Sequence, residues 1–333
     1  MPQTFESSSG KQEGRGQYED VLKHVDSNVP RDLFASWFEQ QGNPDRANFI
    51  RLQCGEHRLT TERHGNTQLR ASERDRLALN AKETDRLWKL HRKEWQAENP
   101  PKTVLKHVDW ERGFPYFGTV DWQMVDKDEL SKVMTNWPIQ GLVVLNLSAN
   151  DLPTFLEKPW VKQLRHLVLE GNELGSHGAQ LIAESTQLSN LQYLNLSQCG
   201  IDEAGARALA FSKGLGNLRV LRLRGNNISL QGTYALAEAS KDNLHNLWKI
   251  SVRKDVNGHD PEEFYENIDE ALMEKSGFTE SLEGGQTWQK QLLKDTVEQE
   301  VRETTPEDII EETKWKIFNL LKQSPAAQQA ARR

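Results

Sequence analysis

Apolar residues recur in a fixed arrangement through the middle of the chain. Four segments follow the pattern LxxLxLxxN/C-x-L/I, and they begin at Leu142, Leu164, Leu191 and Leu218. The steps between successive starts are 22, 27 and 27 residues. Leucines spaced in this way predict one short parallel strand per segment, whose leucines point into a core shared with the neighbouring segments. Four copies in register therefore predict a repeat architecture.

The ninth position of each segment indicates how successive turns are held together. It is occupied by Asn150, Asn172, Cys199 and Asn226. An Asn amide both donates and accepts hydrogen bonds, so it can satisfy backbone groups of its own turn and of the adjacent one. We therefore predict a structural ladder of these four residues, in which Cys199 takes the place of Asn in one rung.

Small and apolar residues recur at helical spacing after the last three strand patterns, at 178–183, 205–210 and 232–237. This spacing predicts one helix per repeat, packed closely on the next. A 27-residue step that combines a strand with a full helix resembles leucine-rich repeats of the ribonuclease-inhibitor class. The resemblance implies an α/β fold, a leucine-rich repeat solenoid of parallel strands with outer helices over 103–258, where weaker patterns at both ends cap the core.

The sequence pattern of residues 18–55 predicts a small helical domain. Four apolar residues fall on one helical face, namely Leu33, Phe34, Trp37 and Phe38. Gly42 stands where a helix of this kind ends, and Pro44 cannot continue it. The following helix is expected to start at Asn43 or Asp45.

This domain resembles the repeat-companion domain of planctomycete-type bacterial proteins. The matching residues are Ala35, Trp37, Glu39, Gly42, Pro44, Arg46, Ala47, Phe49, Ile50, Arg51, Leu52 and Gln53. Two shorter matches follow, at 87–95 and 110–115. The resemblance implies a bacterial protein in which a small helical domain precedes leucine-rich repeats, and it implies no particular biochemical activity.

Charge and composition divide the rest of the chain. Residues 1–17 and 324–333 are predicted to be disordered, and 56–102 to form a charged linker helix. Residues 259–323 are predicted to form an acidic helical tail. Between 259 and 313 there are 17 acidic and 4 basic residues, a net charge of −13 against −7 for the whole chain. A helix in this tail either docks on the solenoid or fits a groove of a separate partner.

The composition excludes several classes of protein. The chain has 333 residues, with 42 Lys and Arg against 49 Asp and Glu, and this mild acidity argues against a global footprint for nucleic acid. Two cysteines exclude a disulfide scaffold, a Cys-rich zinc module and an iron–sulfur protein. No run approaches the roughly 18 apolar residues of a membrane span, and residues 1–17 lack the apolar region of a secretory signal. We therefore expect a cytoplasmic protein.

The familiar sequence motifs of catalytic sites are absent. The sequence has no GxxxxGKS/T phosphate loop, no GxGxxG turn, no HExxH, no CxxC and no GxSxG. No two of the nine histidines stand at the i, i+4 spacing of a helical metal pair. We therefore expect a chain that is not an enzyme and has no catalytic residues, no metal site and no cofactor.

The non-leucine positions of the repeats are expected to face the concave side of the solenoid. The later strands bring basic and aromatic residues to that side, namely Tyr193, Arg219, Arg222, Arg224, Trp248, Lys249 and Arg253. Adjacent strands are about 4.8 Å apart, so these residues are expected to form one patch. Arg beside aromatic side chains is common in the anchors of protein interfaces. The patch either only solubilises the surface or binds an acidic partner.

The sequence therefore favours a non-catalytic scaffold or adaptor for protein–protein interaction. Its expected partner is an unidentified acidic protein or the chain's own acidic tail. Two alternatives stay open: the patch binds nucleic acid or another polyanion, or the repeats recognise the substrate of a modifying enzyme. The net charge of −7 and the narrow patch disfavour nucleic acid.

Overall fold

The computed structural model describes residues 10–61, 71–239, 243–247 and 249–251. These residues divide into two compact units. The described part of the first unit spans 10–61, 71–119 and 125–140, and the second comprises 120–124 and the described residues from 141 onward. The predicted acidic tail, the predicted disorder at 1–9 and 324–333, and the site residues Trp248 and Arg253 lie outside the described residues.

The first unit contains five helices and a two-stranded hairpin among its described residues. The helices are α1 Gly10–Lys23, α2 Val29–Gln40, α3 Pro44–Thr61, α4 Ala71–Trp95 and α5 Lys127–Asn136, with a short 3-10 turn at Gln96–Glu98. The hairpin consists of β1 Val108–Glu111 and β2 Phe114–Asp121, which pair antiparallel. The last two residues of β2 belong to the second unit.

The turn between α2 and α3 follows the sequence prediction. Helix α2 ends at Gln40, and Gly42 adopts a φ of 77°, a left-handed conformation that glycine tolerates. The side chain of Asn43 then accepts a hydrogen bond of 3.1 Å from the backbone N–H of Arg46. Asn43 thus caps the first turn of α3.

Helix α1 begins inside the segment 1–17, which the sequence analysis predicts to be disordered. Gly14 is buried against the indole of Trp37, and a Cβ there would lie 2.5 Å from the ring. Tyr18 packs in the same apolar cluster, and its hydroxyl donates a hydrogen bond of 2.9 Å to the carbonyl of Asn136. The prediction was wrong for residues 10–17 because small and polar residues there give no apolar pattern.

The segment 56–102 differs from the predicted linker helix, because it contributes to the core of the first unit. Its helix α4 buries Leu87 and Trp95 in a second apolar cluster with Phe49 of α3. The ring centroids of Phe49 and Trp95 are 4.6 Å apart. The charged residues of α4 occupy its exposed side, which is why the sequence of this segment is typical of a solvated helix.

A buried ion pair lies next to this cluster. Nη2 of Arg46 donates a hydrogen bond of 2.9 Å to Oε2 of Glu98, and both side chains are at least nine-tenths buried. The Arg46 guanidinium also lies 4.5 Å from the ring centroid of Trp110 and 4.9 Å from that of Trp95. Cation–π contact and ion pairing together offset part of the cost of burying the charge.

The second unit consists of parallel strands that alternate with helices. The strands are β3 Gly141–Leu145, β4 His166–Val168, β5 Tyr193–Asn195, β6 Val220–Arg222 and β7 Lys249–Ser251. The helices are α6 Leu152–Leu156, α7 Gly175–Glu184, α8 Glu203–Ala210 and α9 Leu230–Ala239. Each strand pairs in parallel with the next one along the chain, as the repeat pattern predicts.

The fourth position of the later patterns forms one row across the strands, which strand β3 joins three residues out of the predicted register, with Leu142 in the place expected for Leu145. Leu142 pairs with Leu167, Leu167 with Leu194, Leu194 with Leu221, and Leu221 with Ile250. All five side chains are buried. The row therefore forms the shared core that the spacing of the leucines predicts.

Candidate interaction site

The turns of the repeats are joined by buried asparagine amides. The side-chain oxygen of Asn172 accepts a hydrogen bond of 2.7 Å from the backbone N–H of Leu147, one repeat earlier. Its Nδ2 donates to the carbonyls of Val144 and Leu169, at 2.9 and 2.8 Å. Asn172 therefore satisfies the backbone of its own turn and of the preceding one, as a ladder rung requires.

Asn226 and Cys199 form the next part of the ladder. The side-chain oxygen of Asn226 accepts from the backbone N–H groups of Cys199 and Ile201, both at 3.0 Å. Its Nδ2 donates to the carbonyls of Leu196 and Leu223. The thiol of Cys199 lies 3.1 Å from the carbonyl oxygen of Leu169, so the smaller residue makes only part of the contacts of an Asn rung.

Asn150 does not join the buried ladder, contrary to the sequence prediction. Its side chain is exposed, whereas Asn172 and Asn226 are buried. The strand pairs Leu142 with Leu167, so Leu147 and not Asn150 stands at the position that Asn172 occupies in the next repeat. The shorter step of 22 residues in this repeat gave a signal that the outer segment is irregular.

The structure contains a second asparagine ladder that the sequence analysis did not predict. Nδ2 of Asn190, Asn217 and Asn246 donates to the carbonyls of Lys162, Ser189 and Gly216, at 2.9, 2.8 and 2.8 Å. Each of these asparagines directly precedes the first leucine of a strand pattern. That recurrence in the sequence is the signal that would have revealed the second ladder.

The strand residues opposite the leucine row form a second face of the strands. They are His166 and Val168 of β4, Tyr193 and Asn195 of β5, and Val220 and Arg222 of β6. We call this surface the non-leucine face; it corresponds to the concave side in the sequence analysis. All six side chains are buried, with Tyr193 2% and Arg222 6% exposed. Both faces of these strands are therefore shielded from water.

Tyr193 and two arginines form the centre of the predicted patch. Burial raises the pKa of the Tyr193 hydroxyl, while the nearby guanidinium groups of Arg222 and Arg224 act in the opposite direction. Its ring centroid lies 6.3 Å from that of His166 on the neighbouring strand. The structure thus brings two of the predicted arginines, Arg222 and Arg224, near the buried Tyr193.

One acidic residue belongs to the same arrangement. Nδ2 of Asn195 donates a hydrogen bond of 2.6 Å to Oε2 of Glu170, and the Asn195 side-chain oxygen accepts from the backbone N–H and the hydroxyl of Ser197. Asn195 stands opposite Arg222 in the register of β5 and β6. The predicted basic patch therefore contains a fixed carboxylate at one side.

Arg219 forms a separate part of the site. It is half-buried, and burial together with the charge of Arg165 lowers the pKa of its guanidinium. Nη1 of Arg165 in turn donates a hydrogen bond of 2.7 Å to the carbonyl of Asn190. The backbone of Lys249 in β7 stands opposite Val220, and its side chain is outside the described part of the chain.

The described residues contain little that supports chemistry. Burial raises the pKa of Cys54 and of Cys199 to about 12, so both thiols are protonated at neutral pH and are poor nucleophiles. No group of three or more His, Cys, Asp or Glu within the described ranges is placed to hold a metal ion. None of the helices in those ranges is long and apolar enough to cross a membrane.

A comparison with known families agrees with the geometry of the second unit. A family model described as a leucine-rich repeat matches residues 163–183, 187–210 and 217–237. These segments cover β4, β5 and β6 and all or most of α7, α8 and α9. The chain therefore contains three leucine-rich repeats with an α/β fold of that type. Such repeats are commonly modules for protein–protein interaction and are typically non-catalytic. No curated protein matches the chain significantly.

Proposed function

We propose that this protein is a non-catalytic interaction scaffold that binds an acidic protein segment through the non-leucine face of its repeats. The observation that carries this proposal is that Arg222 lies on the same face as the buried Tyr193, on the neighbouring strand, with Arg224 close enough to affect the pKa of the Tyr193 hydroxyl. Arg and Tyr supply large contact areas and directional donors, and both are enriched in the energetically dominant residues of interfaces.

The face also has the properties that favour a rigid recognition surface. Its strands are held in register by buried asparagine side chains of the ladder, so its side chains project from a fixed backbone. Little conformational entropy is then lost when a partner binds. The Glu170 carboxylate at one side disfavours a uniformly anionic ligand such as a nucleic-acid backbone, because a fixed like charge opposes it.

The first unit carries a second, structural proposal. We infer that residues 18–55 form a repeat-companion domain that accompanies the repeats without chemistry of its own. In support, the matched residues Ala35, Arg46, Phe49 and Ile50 are all buried and serve the core of the unit. Arg112 and Gly113 of the second short match form the turn of the β1–β2 hairpin, at φ of 51° and 84°.

Affinity capture tests the proposed function. Full-length wild-type chain is compared with Arg222→Glu/Arg224→Glu and with a matched control, Arg207→Glu/Lys213→Glu, which reverses two exposed charges on and after α8. We expect the wild type and the control to capture the same partner. The amount captured by the Arg222→Glu/Arg224→Glu variant should fall at least about tenfold. Capture by the wild type should survive nuclease treatment. Arg224→Glu alone, at a half-buried position, covers the case in which the double variant misfolds.

Equal capture by the face variant and the control would contradict the proposal. Capture that disappears with nuclease would instead support the polyanion alternative. Binding of an acidic protein and binding of a nucleic acid both weaken steeply with salt, so the nuclease treatment is what distinguishes the two.

A further inference from the structure

We propose that the acidic segment 260–274 of this same chain occupies the non-leucine face and thereby competes with external partners. The inference rests on the proposed function for the identity of the face, and it adds a regulation of that face.

Burial is the first argument. A helix that follows each parallel strand covers one face of the strands, so the opposite face is open to water unless another segment lies on it. His166, Tyr193 and Arg222 nevertheless have at most 6% of their surface exposed. Side chains of this size on a face without a cover would be partly hydrated.

Charge complementarity is the second argument. Residues 259–313 carry a net charge of −13, so the remainder of the chain carries −7 − (−13) = +6. On the face and beside it stand Arg219, Arg222 and Arg224, and the charge of Arg165 already disfavours that of Arg219. An anionic cover relieves this repulsion and offsets part of the cost of burying the guanidinium groups.

The third argument is the pattern of the segment itself. Within 260–274, Phe264, Ile268 and Leu272 recur every four residues. Acidic residues lie before, between and after them, namely Asp260, Glu262, Glu263, Glu266, Asp269, Glu270 and Glu274. This is the pattern of an amphipathic acidic helix, which suits a surface that combines Val168, Val220 and Tyr193 with arginines.

The tether allows this contact without strain. Ser251, the last described strand residue, stands opposite Arg222 in the register of β6 and β7. Ten residues separate Ser251 from Glu262, and the eleven extended steps between the two span up to about 36 Å. Strand β5 lies only two strand spacings from β7, or about 10 Å. A short tether of this kind gives the segment an effective concentration in the millimolar range.

A neutralised full-length chain tests the inference. In the test variant, Glu262, Glu263, Glu266 and Glu270 become Gln and Asp269 becomes Asn. In the matched control, Glu298, Glu300, Glu303 and Glu307 become Gln and Asp295 becomes Asn. Both variants lose five negative charges from the same region, but only the first loses them within 260–274.

Two readouts are compared between these chains. The first is hydroxyl-radical labelling of the tryptic peptide that contains Tyr193. The second is binding of a fluorescent synthetic peptide of residues 260–274. In the test variant we expect increased labelling at Tyr193 and peptide binding at least tenfold tighter than to wild type, because the occupant has been weakened. The control should match the wild type, and adding Arg224→Glu to the test variant should remove the peptide binding.

Unchanged labelling of Tyr193 together with equal peptide affinity in all chains would overturn the inference. The proposed function fails in a different way, namely by equal partner capture with the Arg222→Glu/Arg224→Glu variant. A second molecule of the chain as the occupant would show as labelling that depends on protein concentration, which also overturns the inference.

Discussion

Asn195 of β5 donates a hydrogen bond of 2.6 Å to Glu170, and it stands opposite Arg222 of the neighbouring strand β6. The amide therefore fixes a carboxylate on one side of the non-leucine face, while the guanidinium groups lie on the other. A ligand that carries acidic groups is attracted by Arg222 and Arg224 and repelled by Glu170. This polarity sets the orientation of a bound segment and gives a first prediction.

Glu170→Gln should strengthen the binding of an acidic peptide. The amide keeps a side-chain oxygen for the hydrogen bond from Asn195 but removes a like charge from the face. We expect a gain of about two- to fivefold in affinity, measured as anisotropy of the labelled 260–274 peptide on the tail-neutralised chain. Glu173→Gln, at an exposed position in the following turn, is the control. Weaker binding by Glu170→Gln would show that the carboxylate assists the ligand.

Asn172→Ala should destabilise the second unit by about 2–4 kcal/mol. The substitution leaves buried backbone groups of Leu147, Val144 and Leu169 without their hydrogen-bond partners. Asn150→Ala removes the same side chain from an exposed position and should change the free energy of unfolding by less than about 0.5 kcal/mol. Urea denaturation followed by circular dichroism compares the two. Equal losses would contradict the assignment of the ladder.

Arg46→Met should destabilise the first unit by about 3–5 kcal/mol. The variant keeps most of the apolar contact with Trp95 and Trp110 but leaves the buried Glu98 carboxylate without its cation. Arg51→Met breaks an exposed pair with Glu39 and should have a much smaller effect. Thermal unfolding monitored by tryptophan fluorescence measures both. A stability of Arg46→Met close to that of wild type would show that the pair is dispensable.

Asp202 should make the stability of the repeats sensitive to acid. Hydrogen bonds from Ser176 and from the backbone N–H groups of Gly205 and Ala204 lower the pKa of this N-terminal cap of α8. The pKa of Asp202 in the folded state is below the unfolded value of about 3.9. The stabilisation by its carboxylate is therefore complete above that pH, and it is lost as the pH falls through the folded pKa.

The stabilities of wild type and Asp202→Ala should therefore differ by about 1 kcal/mol near pH 7 and converge below about pH 3.9. Asp202→Asn, which retains a capping oxygen but not the charge, should lie between wild type and Asp202→Ala near neutral pH and should lack the acid dependence. Chemical denaturation at a series of pH values provides the measurement. A difference between wild type and Asp202→Ala that persists undiminished at pH 2 would contradict this role of the carboxylate.

The repeats could be predicted because their residues obey a period. Leucines at fixed spacing predicted the row from Leu167 to Leu221, and the ninth position predicted the rungs at Asn172, Cys199 and Asn226. Asn150 obeys the pattern, but its strand pairs three residues out of that register, with Leu142 opposite Leu167, so Leu147 takes the ladder position and Asn150 lies at the surface. A period predicts a position in the repeat, whereas burial depends on the local path of the chain.

The first unit and the site were less predictable for another reason. Helix α1 packs Gly14 against Trp37, a contact that depends on the absence of a side chain and leaves no apolar pattern. Alternation along the strands predicted that Tyr193 and Arg222 share a face. The contact between Asn195 and Glu170 depends on how side chains reach across repeats, which the sequence spacing does not specify.

Photo-crosslinking from a position directly next to the non-leucine face tests the central claim most directly. A photoreactive phenylalanine analogue replaces Gln192, which is half-buried and directly precedes Tyr193, or Lys213, which is exposed after α8. We predict that illumination in native cell extract links position 192 to an acidic protein segment, either of a partner or of residues 260–274, and that position 213 gives neither product. Crosslinks from position 213 alone, or only to basic or neutral segments from position 192, would contradict an acidic ligand on the non-leucine face.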